Sequence, residues 1–247
     1  MTSKFEQFDN LHHTANIFVL PNVWNAKSAL FFQQKDFPAI ATSSAAVAES
    51  LGYEDGEQMP FNTYLFVIKR ILATVQIPLS VDLEMGYASC AEDIYTNILE
   101  LINLGVVGIN LEDSIITHGT RSLQNALTFA KTLEAIKNRL GHDNLDLFIN
   151  VRCDTYLLDV PNKQKETGQR ARLYADSGAD GLFLPCISEE EDIAAVVQAT
   201  KLPLNVMQVP GLPDLDILRE LGVKRVSMGP FLFNKVYENL SFVLLPA

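Results

Sequence analysis

The sequence predicts a single α/β domain, a (β/α)8 barrel of the TIM type, and three observations carry that prediction. Short apolar runs alternate with longer amphipathic stretches eight times along the chain. Most of the runs are apolar on both faces (VVGINL, GLFLP, LNVMQV), as parallel strands covered on each side should be. The length, 247 residues, is the usual size of such a barrel. An open doubly wound sheet shares the alternation and differs by a reversal of strand order that a sequence does not display.

Strands are expected at Ile17–Trp24, Ala39–Ser43, Pro78–Glu84, Gly105–Glu112, Leu145–Arg152, Gly181–Pro185, Pro203–Val209 and Val223–Met228. Helices are expected between them at Ala26–Lys35, Asn62–Val75, Ala91–Leu104, Ser122–Leu140, Gln164–Ser177, Glu189–Thr200 and Pro213–Leu221. Gly or Pro punctuates the return to the next strand in LGVVG, SGADG, KLPLN and LGVKR. No Ser/Gly/Pro-rich linker divides the chain, so residues 1–247 read as one domain. After the last strand an apolar helix is expected at 231–242, which a neighbouring subunit or the chain's own barrel could cover.

Composition narrows the function. Lys and Arg number 19 against 30 Asp and Glu, a formal charge of −11, which argues against a nucleic-acid footprint. Three scattered cysteines (Cys90, Cys153, Cys186) make neither a disulfide framework nor a CxxC metal site and fit a reducing compartment. Residues 1–10 carry Lys4, Glu6 and Asp9 without an apolar run, so no signal peptide is expected, and no stretch is apolar enough to span a membrane. A cytoplasmic protein is expected. His12, His13 and His142 lie in polar surroundings and read as surface residues; Cys186 reads as packing.

Barrel chemistry sits where strands end and βα loops begin. The third strand ends Asp82-Leu83-Glu84, and residues two apart in a strand face the same side. The fourth ends Asn110-Leu111-Glu112-Asp113, which brings another acid alongside. Carboxylates converging on one pocket repel unless a cation or protons neutralise them, and an all-oxygen donor set selects a hard cation such as Mg2+, with Mn2+ as a substitute. Asp55, in the loop after the second strand, could return toward that cation. Each acid taken singly could instead cap a helix or pair with an arginine. Arg152, at the end of the fifth strand, can hold a carboxylate or phosphonate bidentately, or form a structural ion pair. The small residues Ser43, Ser44 and Ala45 let backbone N–H groups approach an anion. The loop Ser114–Arg121 carries His118 and Arg121 and reads as a lid or as a solvated loop.

Together, the stretches PNVWNAKSA, ATSSAAVAESLGYEDGE, VDLEMGYA, GVVGINLEDS, FINVRCDTYLL, RARLYADSGADGLFLP, PLNV and RVSMGP resemble the phosphoenolpyruvate mutase/isocitrate lyase superfamily. They run in order from the first strand to the eighth. The resemblance implies a (β/α)8 barrel, a bound Mg2+ and a small 2-oxo acid or phosphonate substrate. It puts Asp82, Glu84 and Glu112 at the metal site with Asp55 in support, and Arg152 on the substrate. Ser43, Ser44, Ala45 and Asn205 fall on substrate-side positions, and His118 and Arg121 fall on the lid. The lid, Thr117-His118-Gly119-Thr120-Arg121, lacks the cysteine of isocitrate and methylisocitrate lyases, so the chain sits nearer the phosphoenolpyruvate phosphomutase-like branch. The implied reaction is cleavage of a C–C or P–C bond through an enolate; the alternatives are a phosphoryl-transferring mutase and a non-catalytic oxo-acid binder. A homo-oligomer, dimer or tetramer, is expected, with neither nucleic acid nor membrane as partner.

Overall fold

The computed structural model describes residues 2–240. The chain begins with α1 (Lys4–His13), then β1 (Phe18–Leu20), β2 (Asn22–Val23), α2 (Ala26–Gln33), β3 (Ile40–Thr42), α3 (Ser44–Ser50), α4 (Phe61–Leu72) and β4 (Leu79–Asp82). It continues through α5 (Ala91–Leu104), β5 (Gly108–Glu112), a hairpin of β6 (Ser114–Thr117) and β7 (Thr120–Leu123), α6 (Ala126–His142) and β8 (Phe148–Arg152). It ends with α7 (Lys163–Asp176), β9 (Gly181–Leu184), α8 (Glu190–Ala199), β10 (Leu204–Met207), α9 (Leu215–Glu220), β11 (Arg225–Ser227) and α10 (Phe231–Leu240).

The large sheet is parallel, in the order β1-β11-β10-β9-β8-β5-β4-β3-β2. Its two edges are halves of one expected strand. Pro21 has no N–H to give a ladder and separates β1 from β2. β1 pairs with β11 and β2 with β3, so residues 18–23 join the last strand to the second and bring the sheet round into a barrel. The Pro21 carbonyl still accepts from Ala41 N at 3.0 Å.

The main core lies between barrel and helices, where Ile68, Ile98, Leu133 and Val196 bury the apolar stripes of α4, α5, α6 and α8. A second cluster, Phe8, Leu20, Ala39, Ala41, Val107 and Phe148, fills the barrel at the start of its strands. Phe8 belongs to α1, which therefore covers the end of the barrel opposite the strand C-termini. α1 was not expected. It opens with a Ser3–Glu6 capping box, and the period of Phe5, Phe8 and His12 turns one face inward.

That placement corrects the reading of His12. The ring is 2% exposed, stacks on Phe148 at 4.0 Å and lies with Nδ1 3.0 Å from the Phe8 carbonyl. A carbonyl only accepts, so Nδ1 carries the hydrogen. Burial, helped by the nearby Arg225 charge, pushes its pKa down to about 3. Two further segments differ from expectation. The small residues after β3 form α3, and Ser122 and Leu123 pair in β7, so α6 begins only at Ala126. α10 packs through Phe233 against Trp24 at 5.3 Å, while Phe231, Val236, Tyr237 and Leu240 on it are exposed. The last two residues of the helix expected at 231–242 lie outside the described residues.

Candidate active site

The C-terminal ends of the strands open into a cavity of about 240 Å³. Its polar lining includes Asn22, Ser44, Asp55, Asp82, Asn110, Arg121 and Arg152, and its apolar lining Leu157, Phe183, Pro185, Met207 and Pro230. β4 ends at Asp82, whose carboxylate accepts from Ser44 Oγ at 2.8 Å and from Asn110 Nδ2 at 3.3 Å. Its backbone carbonyl accepts from the buried Tyr64 hydroxyl at 3.1 Å, which fixes the strand end against α4. Asp55, from the loop after α3, lines the same cavity. Burial raises its pKa, and the Asp82 charge raises it further.

Glu84 behaves differently. The expectation that it shares a face with Asp82 assumed a strand running to residue 84, but β4 stops at Asp82 and Glu84 adopts φ 53°. Its side chain therefore leaves the cavity and accepts from Glu57 N at 3.0 Å and from the Tyr87 hydroxyl at 3.0 Å. Burial, then the charges of Asp55 and Asp82, push its carboxyl up to about 9.

Glu112 is buried at the end of β5 between two guanidiniums. Arg152 Nη1 lies 2.9 Å from Oε2, and Arg121 Nη1 contacts Oε1. Burial pushes its pKa up to about 7 against the pull of both arginines. Arg152 is itself gripped by Asp154, with Nε at 2.7 Å and Nη2 at 3.2 Å, and Ser114 Oγ bridges Asp154 and Glu112 at 2.8 and 3.1 Å. Behind this network Asp113 accepts from Asp154 N, Arg170 Nη1 and the Tyr174 hydroxyl, all within 3.0 Å. Arg170 also donates to the Gln124 carbonyl at 3.1 Å, so α7 ties down both ends of the segment that carries the hairpin.

The lid loop is thus a β-hairpin with His118 (φ 51°) and Gly119 (φ 75°) at its turn. Arg121, on β7 opposite Ile116, points into the cavity; His118 sits exposed at the tip and does not line it. Ser43 caps α3 through Ala46 N at 3.3 Å, and Ser43, Ser44 and Ala45 all line the cavity. Asn205 lies beneath it, donating to the Val206 carbonyl at 2.6 Å and to Ser227 Oγ at 3.1 Å. Cys186 is exposed with φ 67°, rather than packed in the core. Asn22, Asn110 and Asp154 were not singled out beforehand. Asn22 Oδ1 accepts from Met228 N and Gly229 N and so holds the last barrel loop.

Among the described residues no three His, Cys, Asp or Glu side chains form a closed ligand cage. Glu84 and Glu112, expected as ligands, are engaged by other partners. Asp82 and Asp55 remain open to the cavity, and their donors are all oxygen. A hard cation held by one or two carboxylates and otherwise by water fits that set, which is how Mg2+ is commonly bound. The mutual repulsion of Asp55, Asp82 and Glu84 is what such a cation would relieve.

The family model for phosphoenolpyruvate phosphomutase matches residues 8–244. The chain belongs to the phosphoenolpyruvate mutase/isocitrate lyase superfamily. This superfamily of lyases, hydrolases and mutases acts on small oxo acids and is typically Mg2+-dependent. The chain is 38% identical over 222 residues to an uncharacterized protein of Mycobacterium tuberculosis, covering 90% of this chain and 81% of that one. It is similar to the crystal structure of a candidate phosphonomutase from Burkholderia cenocepacia, with a TM-score of 0.91, 35% identity and coverage of 98% and 97% of the two chains. It is also 26% identical over 221 residues to oxaloacetate decarboxylase 1 of Pseudomonas fluorescens, covering 87% of this chain and 73% of that one. Among the described residues no helix is long and apolar enough to cross a membrane.

Proposed function

We propose that this superfamily member is a Mg2+-dependent enzyme that breaks a C–C bond made by the carbon next to the carbonyl of a small 2-oxo acid or a close relative, through an enolate. The observation that carries the reading is one cavity of about 240 Å³ lined both by Asp82, Asp55 and Arg152 and by Leu157, Phe183, Pro185 and Met207. Small volume selects a small acid. The apolar part of the lining favours a carbon fragment over a phosphonate dianion, whose three oxygens would need more donors than those residues offer.

Arg152 donates to Asp154 through Nε and Nη2, while its Nη1 lies 2.9 Å from Glu112 Oε2 as an ion pair without a hydrogen bond to that oxygen. A guanidinium has five N–H groups, so three remain to meet a substrate carboxylate, and the buried acids hold the group in place. Ser44 and Asn110 hold the Asp82 carboxylate, which with Asp55 would hold Mg2+. When bound, Mg2+ supplies electrostatic stabilisation to the oxygen on which enolate charge develops. Arg121 closes the hairpin over the site, and its contact with Glu112 keeps water from the buried charges. The electron pair of the broken bond passes to the carbonyl oxygen and returns when the enolate carbon takes up a proton. The name of the Pseudomonas relative, a decarboxylase of a 2-oxo acid, supports this direction.

A product screen by NMR, with Mg2+ or with EDTA, tests the reading on oxaloacetate, phosphonopyruvate, phosphoenolpyruvate, methylisocitrate and 2-methylmalate. We expect Mg2+-dependent release of a 2-oxo acid product from one carbon substrate, lost in Asp82→Ala. Interconversion of phosphonopyruvate and phosphoenolpyruvate with nothing released would establish the mutase instead. Tight oxalate binding without turnover would establish a binder.

A further inference from the structure

Among the described residues Arg225 is the largest fully buried side chain, 1% exposed inside the barrel. Among the described residues no carboxylate oxygen lies within ion-pair distance of it, and its Nε and Nη1 have no hydrogen-bond partner. A buried guanidinium without an ion-pair partner is costly, and an apolar side chain of similar volume is commonly as stable or more so. Packing alone therefore does not account for an arginine here.

Among the described residues its one side-chain hydrogen bond leads to the active site. Arg225 Nη2 donates to Asn110 Oδ1 at 3.3 Å, and Asn150 Nδ2 donates to the same oxygen at 2.9 Å. A guanidinium only donates, so this contact fixes which end of the Asn110 amide faces it. The Asn110 amino group is thereby turned the other way, where it donates to Asp82 Oδ1 at 3.3 Å. Ser44 Oγ holds the other oxygen, Oδ2, at 2.8 Å. β4 and β5 pair Asp82 with Asn110, so the two strands carry this contact as part of their register.

We propose that Arg225 is a positioning residue for the cation site: through Asn110 it fixes the orientation of the Asp82 carboxylate. The inference rests on the reading of Asp82 as a ligand to Mg2+ and adds a residue that touches neither cation nor substrate.

The test is titration of the apoprotein with Mn2+ alone, following the free-ion EPR signal, together with thermal unfolding without metal. Arg225→Met is expected to unfold at the same temperature as wild type or higher, and to bind Mn2+ about 10- to 100-fold more weakly, the usual effect of losing a partner of a metal-binding side chain. Asn110→Ala is expected to weaken Mn2+ similarly, and the double variant to be no weaker than either single one, because both cut the same chain. Arg225→Lys keeps the charge and is expected to recover part of the affinity. If Arg225→Met does not fold, Asn110→Ala alone carries the measurement. Wild-type Mn2+ affinity in Arg225→Met or in Asn110→Ala overturns the inference. Failure of the wild-type protein to bind Mn2+, or Asp82→Ala binding as well as wild type, overturns the Asp82 reading and the inference with it.

Discussion

Replacing His12 with leucine removes a titration that the fold of the wild-type chain makes costly at mildly acidic pH. The imidazole is fully buried against Phe8 and Phe148, and its pKa falls from 6.5 to about 3 on folding. The unfolded chain takes up a proton at His12 below pH 6.5; the folded chain does not until about pH 3. The stabilisation is therefore complete above pH 6.5 and is lost as pH falls toward 3. At pH 5.0, 1.5 pH units below the unfolded value, the loss is about 2 kcal/mol, at ~1.4 kcal/mol per unit. Urea unfolding of wild type and His12→Leu at pH 7.5 and 5.0 isolates it, because the carboxylates titrate alike in both proteins. Wild type should lose about 2 kcal/mol more than the variant between the two pH values, with unchanged m. Equal losses would refute the burial of a neutral imidazole under the barrel.

Other substitutions probe the site and its supports. Arg121→Met removes the charge-assisted bond between hairpin and Glu112, so kcat/KM should fall by roughly 10- to 100-fold, and amides of residues 115–122 should exchange faster by mass spectrometry. Asp113→Asn removes the buried carboxylate partner of Arg170 and leaves it only the half-exposed Glu166, and thermal unfolding should show a loss of about 3 kcal/mol. Gly86→Ala forces φ 103° on alanine and puts a Cβ 2.8 Å from the Ile94 side chain, for about 1–3 kcal/mol of destabilisation. Gly52→Ala, at φ 80° with nothing within 4 Å, should lose less in the same assay.

Much of the scaffold was legible in the sequence because its signals are local. α5 begins and ends where expected, since Glu92 and Asp93 favour its N-terminus and Gly105 closes it at φ 99°. All the expected strands form, a few residues shorter than their apolar runs, because those runs include the turns that deliver the chain to the sheet. The hairpin was missed although a His-Gly pair between alternating segments signals a two-residue turn. α1 was missed although the Ser3–Glu6 capping box was visible. The site was half legible. Strand ends located Asp82, Glu112 and Arg152, but their partners depend on where the strands stop: a positive φ at Glu84 sends it to Tyr87, and a neighbouring arginine on the hairpin occupies Glu112. Arg225 and Asn110 were illegible as a pair, because residues 115 apart meet only once the barrel has formed.

The central claim is that the cavity holding Asp82 and Arg152 turns a 2-oxo acid into its enolate. Incubating pyruvate with the protein in D2O and following its methyl signal by proton NMR tests that step whatever the leaving group is. The account predicts Mg2+-dependent loss of the methyl protons above the rate in buffer, abolished by EDTA and by Asp82→Ala. Exchange at the buffer rate with Mg2+ present and pyruvate demonstrably bound would contradict it.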